Sequence, residues 1–161
     1  MRSTQLLLVL LSFNLIPNGY ALAEQVVRVS EEGILVLGTD ESVMLAGVQL
    51  SPETIRMLPA LLAGKDVTVK RDDELSETDS FAATPVYLYI DANEINFPFE
   101  PGGKYKTTRM MINEWLLSIG AARVPRRYVF EKRNEFLKVQ EEAKNRADGI
   151  WSYEEVWAED V

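Results

Sequence analysis

Residues 42–53 read Ser-Val-Met-Leu-Ala-Gly-Val-Gln-Leu-Ser-Pro-Glu, and the chain changes character within them. Ser42 to Val48 is apolar with β-branched residues and predicts a strand. Ser51-Pro52-Glu53 predicts the start of a helix. Ser fits the N-cap, Pro the first helical position, and Glu the first turn, where a negative charge meets the positive end of the helix dipole. Upstream, Gln25 to Ser30 and Ile34 to Leu37 predict two more strands, parted by turns at Glu31-Glu32-Gly33 and at Gly38 to Glu41. Three short strands with turns every few residues make an antiparallel meander.

Downstream, Pro59 predicts a kinked or two-part helix and Gly64 its stop. Asp66 to Arg71 alternates as a strand with one wet face, and Pro85 to Ile90 predicts another. Between them, Asp72 to Ser80 is acidic and polar and predicts a solvated loop. Asp91 to Lys106 predicts a long connection, containing Phe97-Pro98-Phe99-Glu100-Pro101 and then Gly102-Gly103. Thr107 or Thr108 predicts the cap of a helix running to Ser118. Met111, Trp115 and Leu116 or Ile119 would form its apolar stripe, with Gly120 as its stop. Phe130 to Ala147 predicts the last helix, with Phe136, Val139 or Gln140, Ala143 and Ala147 on its buried side. The fold class expected is α+β, mainly β: a small five-stranded OB-type barrel with three helices.

The chain has 161 residues, 47% of them apolar, which suits one domain with a sizeable core. It contains no cysteine and no histidine, which excludes a disulfide framework, an acyl-anchor cysteine, a histidine general base and a histidine-rich metal site. Formal net charge is −8. An acidic surface repels phosphate backbones, so a nucleic-acid partner is disfavoured unless basic residues cluster locally.

The first stretch reads differently from the rest. Arg2 is basic, Leu6 to Ile16 is an apolar run, Pro17-Asn18-Gly19 breaks it, and Ala21-Leu22-Ala23 has the small-x-small form of a cleavage site. The expectation is a signal peptide over 1–23, a domain over 24–152 and an acidic tail over 153–161. The apolar run is too short to span a bilayer, so no membrane span is expected after cleavage. The expected location is periplasmic or secreted.

Three segments carry a family resemblance. Val43-Met44-Leu45-Ala46-Gly47-Val48 followed by Ser51-Pro52-Glu53 resembles the V-R-L-x-G-[IV]-D-x-P-E of the staphylococcal-nuclease (thermonuclease-like) family. Asn113, Leu116, Leu117, Gly120 and Ala122 are similar to its N-x-x-L-[VL]-x-x-G-x-A. Gln140, Ala143, Gly149, Ile150 and Trp151 are similar to its A-Q-x-x-A-[KR]-x-x-x-x-G-I-W. The resemblance implies hydrolysis of DNA and RNA phosphodiesters with calcium. That chemistry needs two carboxylates on the cation, a glutamate near the attacking water, and two arginines facing the charge that builds on the phosphate.

Carried over position by position, the resemblance places that machinery on residues that cannot supply it. The family's D-G-D-T turn falls on Glu31-Glu32-Gly33-Ile34, so the metal-binding Asp is Gly33. The Arg of V-R-L is Met44, and the next Asp is Gln49, with one extra residue before Pro52-Glu53. The second Arg falls on Ala83 of Asp79-Ser80-Phe81-Ala82-Ala83. Glu53 alone retains a matching catalytic position, and its plain role is first-turn acid of a capped helix. The expectation is therefore a catalytically inactive binding or scaffolding module with no cofactor and an unidentified protein partner in the envelope or outside the cell. The alternatives are a calcium-dependent endonuclease with a rearranged site, and a nucleic-acid binder that does not cleave.

Other groupings carry weaker expectations. Glu31, Glu32, Asp40 and Glu41 could converge on a cation, or be solvated turns. Arg123, Arg126, Arg127, Lys132 and Arg133 with Tyr128 could form a nucleic-acid patch, or a solvated approach to the last helix. Phe97 and Phe99 could anchor a protein partner, or seal one barrel end. Trp115 and Trp151 are expected in the core, and Trp157 in the acidic tail is the one Trp that could be exposed.

If Ala21-Leu22-Ala23 is the cleavage site, intact-mass measurement of exported protein will give a chain beginning at Glu24. A mass that retains residues 1–23 would contradict the reading.

Overall fold

The computed structural model describes residues 23–72, 74–75, 83–94 and 109–153. Five strands close into a barrel: β1 (Glu24–Val29), β2 (Leu35–Leu37), β3 (Ser42–Leu45), β5 (Asp66–Arg71) and β6 (Thr84–Asp91). β1 pairs antiparallel with β2 and β5, β2 with β3, and β5 with β6. A parallel pairing of β3 with β6 closes the circuit, in register Val43↔Thr84, Met44↔Pro85 and Leu45↔Val86. Two further short strands, β4 (Gln49–Leu50) and β8 (Ala122–Arg123), pair with each other outside the barrel. The helices are α1 (Pro52–Leu62), α2 (Ile112–Ser118) and α3 (Arg133–Asn145). This is the mainly-β, OB-type barrel with three helices that the patterning predicts.

Several boundaries differ for physical reasons. The third strand stops at Leu45 rather than Val48, because the chain turns at Ala46-Gly47 to start β4. Helix α1 opens as expected: the Ser51 hydroxyl accepts the Thr54 N–H at 3.2 Å. It is not divided at Pro59 but runs on to Leu62. Pro59 is exposed, so the bond it cannot donate falls on the wet side, and its own carbonyl still accepts the Ala63 N–H at 3.0 Å. The helix expected from Thr107 or Thr108 starts at Ile112 instead. Arg109–Met111 forms β7, which pairs with β6 beyond the end of the β3 seam. Thr107, Thr108 and most of the expected long connection lie outside the described residues. Helix α3 starts at Arg133. Phe130 is buried ahead of it, and Ala147 is exposed beyond its end.

Strand β6 lies against β5 on one edge and against β3 and then β7 on the other, so it is buried almost throughout. The parallel seam is short, and the backbone groups just past it need partners inside the core. Asn113 supplies them. Its Oδ1 accepts the Leu88 N–H at 2.9 Å, and its Nδ2 donates to the carbonyls of Ala46 at 2.9 Å and Val86 at 3.0 Å. Asn113 is fully buried, as are its α2 neighbours Trp115, Leu116 and Leu117. At the far end of α2, Gly120 meets Gly149 backbone to backbone. A Cβ on Gly120 would lie 2.1 Å from the Asp148 carbonyl oxygen, and the Ile150 N–H donates to Gly120 O at 2.8 Å.

Asn113→Ala is expected to lower stability by about 2–5 kcal/mol, since it leaves a buried N–H and a buried carbonyl without partners. Urea unfolding will report this as a lower midpoint at unchanged slope.

Candidate functional site

An open cleft of about 340 Å³ lies at one end of the barrel. Its lining runs along β3 and the following turn to β4, from Met44 to Gln49, and continues with Leu75, Pro85, Pro125 and Tyr128. The parallel register sets Met44 beside Pro85. The other walls come from loops, and buried polar groups hold them.

Asp72 is the principal holder. It was expected in a solvated loop, yet it is fully buried. Its carboxylate accepts the N–H groups of Glu74 at 2.9 Å, Leu75 at 3.1 Å and Glu131 at 3.0 Å, and the Tyr87 hydroxyl. Four donors fill the acceptor positions a carboxylate offers, and none of them is a lysine or arginine. One side chain thus ties the Leu75 wall to the segment just after Tyr128. Arg133 braces that segment from behind, its Nη1 donating to the carbonyls of Pro125 at 2.8 Å and Tyr128 at 3.0 Å. Tyr87 stacks edge-on against Phe136, with ring centroids 5.9 Å apart.

The family model described as "Staphylococcal nuclease homologue" matches residues 49–153. The chain belongs to that family. Over 96 residues it is also 33% identical to an uncharacterized protein of Methanocaldococcus jannaschii, a stretch covering 57% of this chain and 38% of that protein. The chain therefore spans well under half the length of that relative.

The sequence resemblance assigns catalytic positions to Gly33, Met44, Gln49, Ala83 and Glu53, of which the family match at residues 49–153 covers the last three. Met44 and Gln49 both line the cleft. Gly33 is buried in the β1–β2 turn with φ +82°. A Cβ there would sit 3.3 Å from Leu50 Cδ1 and 3.7 Å from side-chain carbons of Ile55 and Leu58. Ala83 precedes β6 and is nearly buried. Glu53 is not among the lining residues. Its side chain is 69% exposed and pairs with Arg56 at 3.1 Å, one helical turn away, an interaction of small energetic weight.

The donor set does not suit calcium, which takes about six to eight hard oxygen ligands. Gly33 has no side chain, and its surroundings are hydrocarbon. Gln49 offers a neutral amide oxygen that already accepts from Arg123 Nε at 3.0 Å. Among the described residues, no three Asp, Glu, His or Cys side chains are grouped to hold a metal ion. Glu31-Glu32 and Asp40-Glu41 do not converge: their turns lie at opposite ends of β2, and Glu41 pairs with Arg71 at 2.7 Å.

The basic run does not form one face. Lys132 pairs with Glu135 at 3.1 Å, and its Nζ lies 5.8 Å from the centre of the Tyr87 ring. Arg133 serves the loop behind the cleft. Arg126 and Arg127 are exposed between two lining residues. Trp115 is in the core, and Trp151 is half-buried, with Lys144 Nζ 4.9 Å from its ring centre. Phe97, Phe99 and Trp157 lie outside the described residues. The residues sequence reading missed are Asp72, Leu75 and Pro125. Nothing in their local context marks them, because what they do depends on partners far along the chain.

Burial, reinforced by the Asp72 carboxylate, pushes the Tyr87 phenol well above the ordinary tyrosine range, and burial also raises Tyr89. The folded state keeps these protons where an unfolded chain loses them, near pH 10. Stability is therefore fully present below about pH 10 and falls as pH rises beyond it. Tyr87→Phe is expected to cost about 1–3 kcal/mol at neutral pH through the lost bonds to the Asp72 carboxylate and from the Lys132 N–H. It should also flatten the alkaline fall of the melting temperature, leaving the part due to Tyr89. An unchanged alkaline slope would contradict the assignment.

Proposed function

We propose that this protein is an exported member of the staphylococcal-nuclease family that binds a protein partner without hydrolysing phosphodiesters. One observation supports the reading: Met44 and Gln49, two of the four positions onto which the sequence resemblance carries the family's catalytic groups (with Gly33 and Ala83), line a mainly apolar cleft. A single transition-state arginine is worth about 10³–10⁵ in rate where phosphoryl transfer has been dissected. Replacing two of them, together with both cation-binding carboxylates, removes the groups that the family uses to stabilise the charge that builds on phosphorus. Glu53 in an exposed ion pair fits a helix-stabilising role. Export is supported by the signal-peptide pattern of residues 1–23. Among the described residues no helix is long and apolar enough to cross a membrane.

A second reading, a nucleic-acid binder that does not cleave, has Arg126 and Arg127 beside the cleft in its favour. The net charge of −8 opposes it.

A fluorescent-oligonucleotide digest separates these readings. The purified protein is expected to show no turnover on DNA or RNA, with or without calcium. Calcium-dependent cleavage that Glu53→Ala abolishes would sink the proposal. Salt-sensitive retention on single-stranded DNA without cleavage would favour the second reading instead.

A further inference from the structure

We propose that the cleft binds a peptide segment that inserts one aromatic or branched apolar side chain and carries a carboxylate beside it, toward the Arg126–Arg127 lip. The inference rests on the reading of the protein as a binding module and names the partner of that site.

Size comes first. At about 340 Å³ the cleft lies at the small end of ligand pockets, roughly 300–1,000 Å³, which suits one large side chain. Its chemistry comes second. Met44, Val48, Leu75, Pro85 and Pro125 present hydrocarbon and a thioether that adapts to the shape of what it meets. The side-chain amide of Gln49 is already engaged with Arg123. Apolar surface continues over the lip, where Tyr128 is 42% and Val129 is 72% exposed. A patch of this kind at the surface is costly unless something covers it.

Third, the walls are set before anything binds. Asp72 holds Leu75 and Glu131 through their N–H groups, and Arg133 holds the carbonyls of Pro125 and Tyr128. A site built this way loses little freedom on binding, so contact area is converted to affinity more fully.

Charge selects the flank. Arg126 and Arg127 stand between Pro125 and Tyr128, and Arg123 adjoins Gln49, in a chain whose net charge is −8. A long polyanion meets the whole acidic surface. A short segment with a carboxylate feels mainly what lies within about 8 Å at physiological salt. Over the Pro125–Tyr128 lip that is Arg126 and Arg127, whereas Glu74 stands beside Leu75 on another wall, so the carboxylate belongs on the arginine side. That difference favours an acidic peptide over a nucleic acid.

The test is selection of a phage-displayed random heptapeptide library on the full chain, followed by fluorescence anisotropy with two selected peptides after labelling. Selected sequences are expected to share one Trp, Phe, Leu or Ile with Asp or Glu next to it on one side. Val48→Trp, which fills the cleft, should weaken binding at least about tenfold. The rim variant Arg126→Glu with Arg127→Glu should weaken it about tenfold and remove most of its salt dependence. Both rim positions are exposed, so that variant is informative even if Val48→Trp does not fold. Basic or wholly polar selected sequences would overturn the proposal. So would binding that both variants leave unchanged, or competition by a single-stranded oligonucleotide at equal concentration. Calcium-dependent turnover would defeat the non-catalytic reading by itself, and the peptide selection does not measure it.

Discussion

A barrel closed through a parallel seam depends on how the seam ends. Here the pairing of β3 with β6 lasts only from Val43↔Thr84 to Leu45↔Val86; β3 then ends in the turn at Ala46-Gly47 while β6 runs on to Asp91. Past that point the Ala46 carbonyl and the Leu88 N–H lie where water does not reach, next to the Val86 carbonyl at the seam's end, which also accepts the Ala46 N–H. Asn113 meets all three with one amide, using its acceptor and both donors. A carboxylate of the same shape would lack the donors, and an apolar side chain would meet none of them. Because Asn113 belongs to α2, the same bonds set that helix across the barrel end. They thereby place Ala122–Arg123 to pair with β4, whose Gln49 lines the cleft. The site inherits its position from the seam.

Asp72 acts in parallel on the loops. Its four donors come from residues 74, 75, 87 and 131, so one carboxylate joins three parts of the chain that share no strand. Buried polar groups of this kind are costly when half-satisfied and specific when fully satisfied. Asn113 does this for the barrel and Asp72 for the loops.

What could be read from the sequence follows the range of the interactions. Asp66–Arg71 matches its expected strand to the residue, because alternation is a local signal. Ser51-Pro52-Glu53 identifies the start of α1 for the same reason: cap, proline and acid act within one turn. Arg109–Met111 has too few residues to show a period, and only its pairing with β6 makes it a strand. Asp72 looked like loop because its composition is loop-like, while its decisive donor, Glu131, lies 59 residues away. At the site, the convergence of Met44 and Gln49 was legible only through family resemblance. The wall formed by Leu75 and Pro125 was not legible at all, since it exists only once Asp72 and Arg133 have joined distant segments.

The contact of Gly120 with Gly149 limits how this chain can change over generations. Elsewhere in the core a methyl group can be added or lost, and neighbours shift to absorb it. Here a carbonyl oxygen occupies the place a side chain would take: a Cβ on Gly120 would lie 2.1 Å from the Asp148 oxygen, and one on Gly149 would lie 2.3 Å from the Gly120 oxygen. Backbone cannot be trimmed by a second substitution, so no compensating change is one step away. Cleft, loops and surface charge are free to drift toward new partners, whereas this junction admits the same two residues whatever the protein comes to bind.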